Sequence, residues 1–323
     1  MSFFHKKRIF LDYASATPVL PEVREVMKKY WSEDFYNPNA IYKEGREMNN
    51  RVKDYRTTIA RLLGVSPQSV IFTSGGTEAN VLAIRGVKPG KIVVEPDSHP
   101  SVVDAAKSIN GSKITLYSSV VPDNKLGRKI REERKKNNSD YPLLHIDASQ
   151  TAQYYNIGLE ALACDLLTLD SAKIYGPKGI GALIVRSGVK ISLPPLGTPP
   201  VPLIAGFAKA FEIAVRDREK EFKRLNLLST NLITLLKEKL PQAEVTGTIP
   251  NIINFSLPGI LPELLVLALD RYGIQVSAGP ACLSNKPEPP ETPVRISLGR
   301  FTTQRDISRA VEIFCSVVAN MIK

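Results

Sequence analysis

Six short runs of strand length recur along the first two-thirds of the chain, each rich in β-branched residues or leucine. They are Val70–Thr73, Ile92–Glu95, Ile114–Ser118, Leu143–Ala148, Leu166–Ser171 and Ala182–Val185. Helical stretches separate them, and this alternation admits few folds. Parallel strands cannot be joined by a tight hairpin and need a crossover, usually a helix. The reading is therefore an α/β fold: a mostly parallel sheet covered by helices.

Pro21–Trp31 begins as a helix with proline in its first turn, and Tyr42–Leu63 reads as a long amphipathic helix closed by Gly64. Between Ser118 and Tyr141 there is one basic helical candidate and no strand. Pro194–Pro202 is a proline-dense loop, and Leu203–Leu240 is helical, as one or two long helices. The last third changes pattern: strand Ile252–Leu257, helix Leu261–Tyr272, short strand Ile274–Ser277, strand Val294–Leu298, helix Thr303–Ile322. That predicts a smaller α+β domain. A chain of 323 residues has room for both.

No apolar run approaches the roughly 18 to 20 residues of a membrane span. The basic start, Met1–Lys7, leads into no hydrophobic core before Asp12, so no secretory signal is expected. Three widely separated cysteines suit a reducing cytoplasm better than a disulfide framework. The net charge of +11 admits a nucleic-acid or acidic protein partner. However, acidic residues interrupt the basic runs (Glu132, Glu133; Asp217, Glu219, Glu221), which reads as solvated helix faces and not a nucleic-acid surface.

In open α/β sheets ligands bind beyond the carboxyl ends of the strands, and four clusters fall there. Thr73-Ser74-Gly75-Gly76-Thr77-Glu78 lies between a strand and a helix; its free N–H groups and the helix dipole suit an anion such as phosphate. An ordinary glycine turn with a threonine cap is the alternative. Asp147 ends an apolar strand, where a lone carboxylate is costly; a protonated ring nitrogen, a helix cap or a metal would each satisfy it. No His/Cys/Asp spacing nearby supports the metal. Lys173, in Ser171-Ala172-Lys173-Ile174-Tyr175-Gly176-Pro177-Lys178-Gly179-Ile180-Gly181, suits a Schiff-base amine at the sheet's edge, whereas Lys178 reads as a surface lysine. His99 follows the second strand and could stack on an aromatic ring or shuttle protons. His145, inside its strand, and His5, near the start, read as structural.

The order and spacing of these clusters closely resemble the cysteine desulfurase family of the nitrogen-fixation and iron–sulfur-assembly type, which belongs to the class V aminotransferases. The opening Phe10-Leu11-Asp12-Tyr13-Ala14-Ser15-Ala16-Thr17-Pro18 and the late Arg295-Ile296-Ser297-Leu298-Gly299-Arg300-Phe301-Thr302-Thr303 resemble it too. The resemblance implies a pyridoxal 5'-phosphate (PLP) enzyme of fold type I. A large cofactor-binding domain would cover 15–215, and a small domain 1–14 and 216–323. Lys173 would hold the cofactor, Asp147 its ring nitrogen, His99 its ring face and Gln150 its phenolic oxygen. Gly76, Thr77, Ser171 and Thr198 complete the cofactor set. Arg295 would bind the substrate carboxylate with Asn37 nearby, and Cys282 would take sulfur from L-cysteine as a persulfide. Lys173, Cys282 and His99 are thus the expected catalytic residues. A cytoplasmic homodimer, serving a sulfur acceptor or scaffold protein in iron–sulfur or tRNA thiolation pathways, is also implied. Cys164 and Cys315 read as core.

Against the family pattern, Ala172 stands where a histidine is usual. The stretch before the aspartate strand is too short for the family's additional strand and asparagine, and only thirteen positions separate Cys282 from Arg295. These departures keep two other readings open: a different fold-type-I enzyme, such as a lyase or aminotransferase, and a catalytically silent binding subunit.

Overall fold

The computed structural model describes residues 8–96, 98–120, 122–192, 197–279 and 293–322, without the side chain of Thr248. In chain order the elements begin with β1 (Ile9–Phe10), α1 (Pro21–Met27), α2 (Lys43–Leu63), β2 (Val70–Thr73), α3 (Gly76–Arg85), β3 (Lys91–Val94) and α4 (Pro100–Lys107). Next come β4 (Ile114–Ser119), α5 (Lys125–Lys136), β5 (Leu143–Asp147), α6 (Leu159–Leu162), β6 (Leu166–Asp170), β7 (Gly181–Val185) and α7 (Val201–Lys239). The chain ends with β8 (Glu244–Ile249), β9 (Ile252–Ser256), α8 (Pro262–Arg271), β10 (Ile274–Gln275), β11 (Ser277–Ala278), β12 (Val294–Ser297) and α9 (Gln304–Met321). Two compact units result, one over Pro18–Arg218 and one from Met1–Thr17 with Glu219–Lys323; the boundary falls inside α7.

In the larger unit the sheet order is β2-β7-β6-β5-β4-β3. Strands β3 to β6 run parallel to one another, and β7 is antiparallel to both β6 and β2. The sheet is α/β and mostly parallel, with β7 as its one reversed strand. Strands buried on both faces should read as nearly unbroken apolar runs, and β5, β6 and β7 do. A core cluster joins Ala79, Ala83 and Ile84 of α3 and Val102 and Ala105 of α4 to Leu116, Leu143, Leu166 and Leu183 of the sheet. The small residues at Ala79 and Ala83, one helical turn apart, keep α3 close to β6 and β7.

The smaller unit has a four-stranded sheet in the order β11-β12-β9-β8, antiparallel throughout, while β1 pairs in parallel with β10. Helix α9 starts with a capping box: Asp306 N–H donates to Thr303 Oγ1 (3.2 Å) and Thr303 N–H to Asp306 Oδ2 (2.9 Å). Its buried face, which includes Ile307, Val311 and Phe314, faces the core; Phe314 meets Phe255 of β9 edge-on at 5.3 Å between ring centroids.

Several elements differ from the sequence reading, among them Ile274–Ser277, read as one strand, which forms β10 and β11 in two different sheets. Leu203–Leu240, read as one or two helices, is one helix, and it starts two residues earlier: 39 residues from Val201, with Pro202 in its first turn, where proline is tolerated. Strand β8 was not anticipated, because Gly247 and alternating polar residues weaken its pattern; it is an edge strand, paired among the described residues with β9 alone. Helix α4 was also missed, and its cap is His99, an unusual residue for that position.

Candidate functional site

The register fixes which loops share an edge. Because β2 is antiparallel to β7, and β7 to β6, strand β2 runs the same way as β3 to β6. The carboxyl ends of β2, β3, β5 and β6 therefore open on one side of the sheet. From that edge emerge Ser74–Thr77, the segment leading to His99, Asp147–Gln150 and Ser171–Lys173.

The β2–α3 turn presents a helix N-terminus. Thr73 Oγ1 donates to the Gly75 carbonyl (2.9 Å), and the Glu78 carboxylate accepts from Ser74 N–H. Gly76 is buried against the neighbouring loops: a Cβ there would lie 3.0 Å from Ser149 Oγ and 3.2 Å from Asp170 Cβ. A side chain there would need Ser149 and Asp170 to give way by a few tenths of an ångström. Thr77 is exposed beside it.

Asp147, half-buried, accepts from Asn80 Nδ2 at Oδ2 (2.8 Å) and from Ser149 N–H at Oδ1 (3.0 Å). Two residues back along β5, His145 is fully buried between the hydroxyls of Ser118 (2.8 Å) and Thr168 (3.0 Å). Burial pushes its imidazole down to about 4, against the opposing pull of Asp147, so it is neutral near pH 7. Gln150 is half-buried on the next turn.

Lys173 ends a single 3₁₀ turn, Ser171–Lys173, opened by Asp170, whose Oδ1 accepts from Ala172 N–H (2.8 Å). Gln153 Nε2 donates to the Lys173 carbonyl, and the Ile174 and Gly176 amides both donate to the Ser171 carbonyl. The lysine thus leaves a rigid backbone and is half-buried, whereas Lys178 is exposed. Ser171 Oγ is buried with no partner among the described residues.

His99 caps α4. Its Nδ1 accepts from Ser101 N–H (3.1 Å) and lies 2.7 Å from Ser101 Oγ. That hydroxyl accepts from Asn80 Nδ2 (3.0 Å), whose amide also bonds Asp147. Asn80 and Ser101 were not anticipated from sequence; the available signal was one polar residue, Asn80, on the apolar face of α3.

Asn37 and Thr198 are exposed and line one cleft with Tyr36, Pro38 and Pro200. Arg295, in the smaller unit, bonds Asp12 Oδ1 (2.9 Å) and Ser15 Oγ (2.7 Å), and its buried Nε has no partner among the described residues. The expected sulfur carrier, Cys282, lies outside the described residues. Cys164 is buried and Cys315 half-buried.

The sequence model of the class-V aminotransferase family matches residues 9–127, 128–196 and 196–310. A cysteine desulfurase IscS of Dictyoglomus turgidum is 31% identical, over 98% of this chain and 96% of its own. Among solved structures, a NifS-like protein superposes with a TM-score of 0.85 at 25% identity, over 97% of this chain and all of the other. The NifS-like protein of Rickettsia africae gives 0.83 at 25%, over 97% and 99%. Matched from its first strand to its last helix, the chain belongs to the class-V aminotransferase family.

Proposed function

We propose that this protein is a cysteine desulfurase: it takes sulfur from L-cysteine, releases alanine and keeps the sulfur as a persulfide on Cys282. The observation that carries the reading is the gathering of Lys173, Asp147, His99 and the α3 N-terminus at one sheet edge.

Pyridoxal phosphate is the family's cofactor, and the residues present fit it. Ser171 Oγ and Asn80 Oδ1 are buried without partners among the described residues. Each such atom costs about 1–3 kcal/mol, which a polar ligand at that edge would recover. The phosphate suits the Gly76 and Thr77 amides at the start of α3, with Ser171 and Thr198 as hydroxyl donors. Asp147 would accept from the ring nitrogen, His99 would cover the ring, Gln150 would meet its oxygen and Lys173 Nζ would hold the group covalently. When bound, the cofactor supplies an electron sink for bonds at the substrate's α-carbon.

The remaining work belongs to the chain's own groups. Arg295 would pair with the substrate carboxylate, a task suited to guanidinium geometry, with Asn37 as the second substrate contact. The Cys282 thiolate bonds to the substrate sulfur. The carbon–sulfur bond breaks with its electron pair on carbon, which takes up a proton and departs as alanine. A homodimer in the cytoplasm, passing sulfur to an acceptor or scaffold protein, completes the proposal; no helix among the described residues is long and apolar enough to cross a membrane.

The test is the visible absorbance of the purified protein with and without L-cysteine, in wild type and Lys173→Ala, together with alanine and sulfide assays on Cys282→Ala. A cysteine-responsive band that needs Lys173, with alanine production lost in Cys282→Ala, is expected. No band after incubation with pyridoxal phosphate overturns the reading. Intact turnover of another amino acid in Cys282→Ala replaces it with different fold-type-I chemistry.

A further inference from the structure

We infer that Ser101 and Asn80 are positioning residues that hold His99 as its Nε2–H tautomer, so that the neutral ring offers the sheet edge a hydrogen-bond donor and not a base. A backbone N–H can only donate, and Ser101 N–H is directed at His99 Nδ1 at 3.1 Å. In the neutral ring Nδ1 therefore carries the lone pair and Nε2 the proton.

The Ser101 hydroxyl reinforces this assignment. It lies 2.7 Å from the same Nδ1 and 3.0 Å from Asn80 Nδ2. The orientation of the Asn80 amide follows from Asp147. A carboxylate accepts only, so the group 2.8 Å from Asp147 Oδ2 is Nδ2, and the reversed amide would set two acceptors together. The same NH₂ then supplies its second hydrogen to Ser101 Oγ, which leaves the hydroxyl proton for His99. The chain Asp147–Asn80–Ser101–His99 thus has one consistent set of donors. Asn80 is 1% exposed, so water does not compete for its hydrogen bonds.

A histidine that merely capped α4 would need only the Ser101 amide. The link through Asn80 joins the carboxylate proposed for the ring nitrogen to the ring proposed to cover its face. On the desulfurase reading, neutral His99 would donate from Nε2, and removal of the Cys282 proton would fall to another group. The catalytic meaning rests on that reading, but the tautomer does not.

Long-range proton–nitrogen NMR of histidine-labelled protein reads the tautomer directly, with and without pyridoxal phosphate. The chain has three histidines, so single substitutions assign the signals. A pyrrole-type Nε2 and a pyridine-type Nδ1 are expected for His99 in both preparations. Ser101→Ala should lower the Nε2–H to Nδ1–H ratio about three- to tenfold, the worth of one neutral hydrogen bond, and Asn80→Leu should shift it the same way. A neutral ring protonated at Nδ1, a ring that stays doubly protonated at pH 8, or a ratio unmoved in Ser101→Ala would each overturn the inference. Loss of the Lys173-dependent absorbance would instead overturn the cofactor reading and leave the tautomer measurable.

Discussion

Asp165 offers the sharpest test of how this sheet is held together. It precedes β6 and is fully buried. Its Oδ2 accepts from Arg134 (2.9 Å) and from Leu144 N–H of β5 (2.8 Å), and its Oδ1 from Arg186 Nε (2.7 Å). One carboxylate therefore ties α5, β5 and the end of β7 to the strand that leads to Lys173. The two arginines are not equivalent, because the Arg134 side chain is 10% exposed and that of Arg186 is 37% exposed. In Asp165→Ala the Arg186 head can turn to water, but the Arg134 guanidinium and the Leu144 amide stay buried and unpaired. Breaking a buried ion pair from one side costs about 3–5 kcal/mol. Arg134→Ala leaves Asp165 with two donors and should cost about 1–3 kcal/mol. Arg186→Ala, screened by solvent, should cost about 1 kcal/mol or less. Urea unfolding of cofactor-free protein measures all three without a ligand contribution. The reasoning fails if Asp165→Ala costs under about 1 kcal/mol, or if Arg186→Ala costs more than Arg134→Ala.

Two further outcomes follow from buried titratable groups. The His145 imidazole falls from its usual 6.5 to about 4 through burial, so the unfolded chain binds the extra proton between those values. Its contribution is complete above about pH 6.5 and is lost as the pH falls toward 4, about 3 kcal/mol in all. His145→Asn, which cannot titrate, should show a flatter urea midpoint from pH 7 to 4, and parallel profiles would refute the assignment. Cys164, whose thiol is pushed up to about 12 by burial and then by the charge of Asp165, should resist alkylation of the native protein at pH 8 and react only after unfolding. Mass mapping that finds native Cys164 modified would contradict this.

The residues that were legible in the sequence share one physical signature: each is a polar group closing an apolar strand. Asp147 after Leu143–Ile146 and Lys173 just past Leu166–Leu169 are costly there without a partner, so their type and place carried information. The α3 turn was legible for a different local reason, its glycines between a strand and a helix. What sequence could not reveal was pairing at long range. Asn80 meets Ser101 and Asp147 from 21 and 67 positions away. Strand order was hidden too: β7 follows β6 in the chain, but nothing local says that β2 lies on its far side. Strand β8 escaped because Gly247 and the polar residues of Glu244–Ile249 break up its apolar pattern.

That hidden strand order is what lets two distant segments serve one site. Gly181, the first residue of β7, pairs with Thr73 at the end of β2 on one side and with Asp170 at the end of β6 on the other. Two strand spacings, about 10 Å, therefore separate the end of β2 from the end of β6. Had β7 continued past Gly181 with ordinary side chains, it would have held the turns that follow them apart. A Cβ at Gly181 would lie 2.6 Å from the Leu169 carbonyl oxygen and 2.8 Å from the Gly75 carbonyl carbon. With only hydrogen there, the β2 loop folds inward until Gly76 rests against Ser149 and Asp170. The reversed strand thus holds the ends of β2 and β6 apart by its width, and its glycine lets the α3 turn close against the β6 end at the sheet edge.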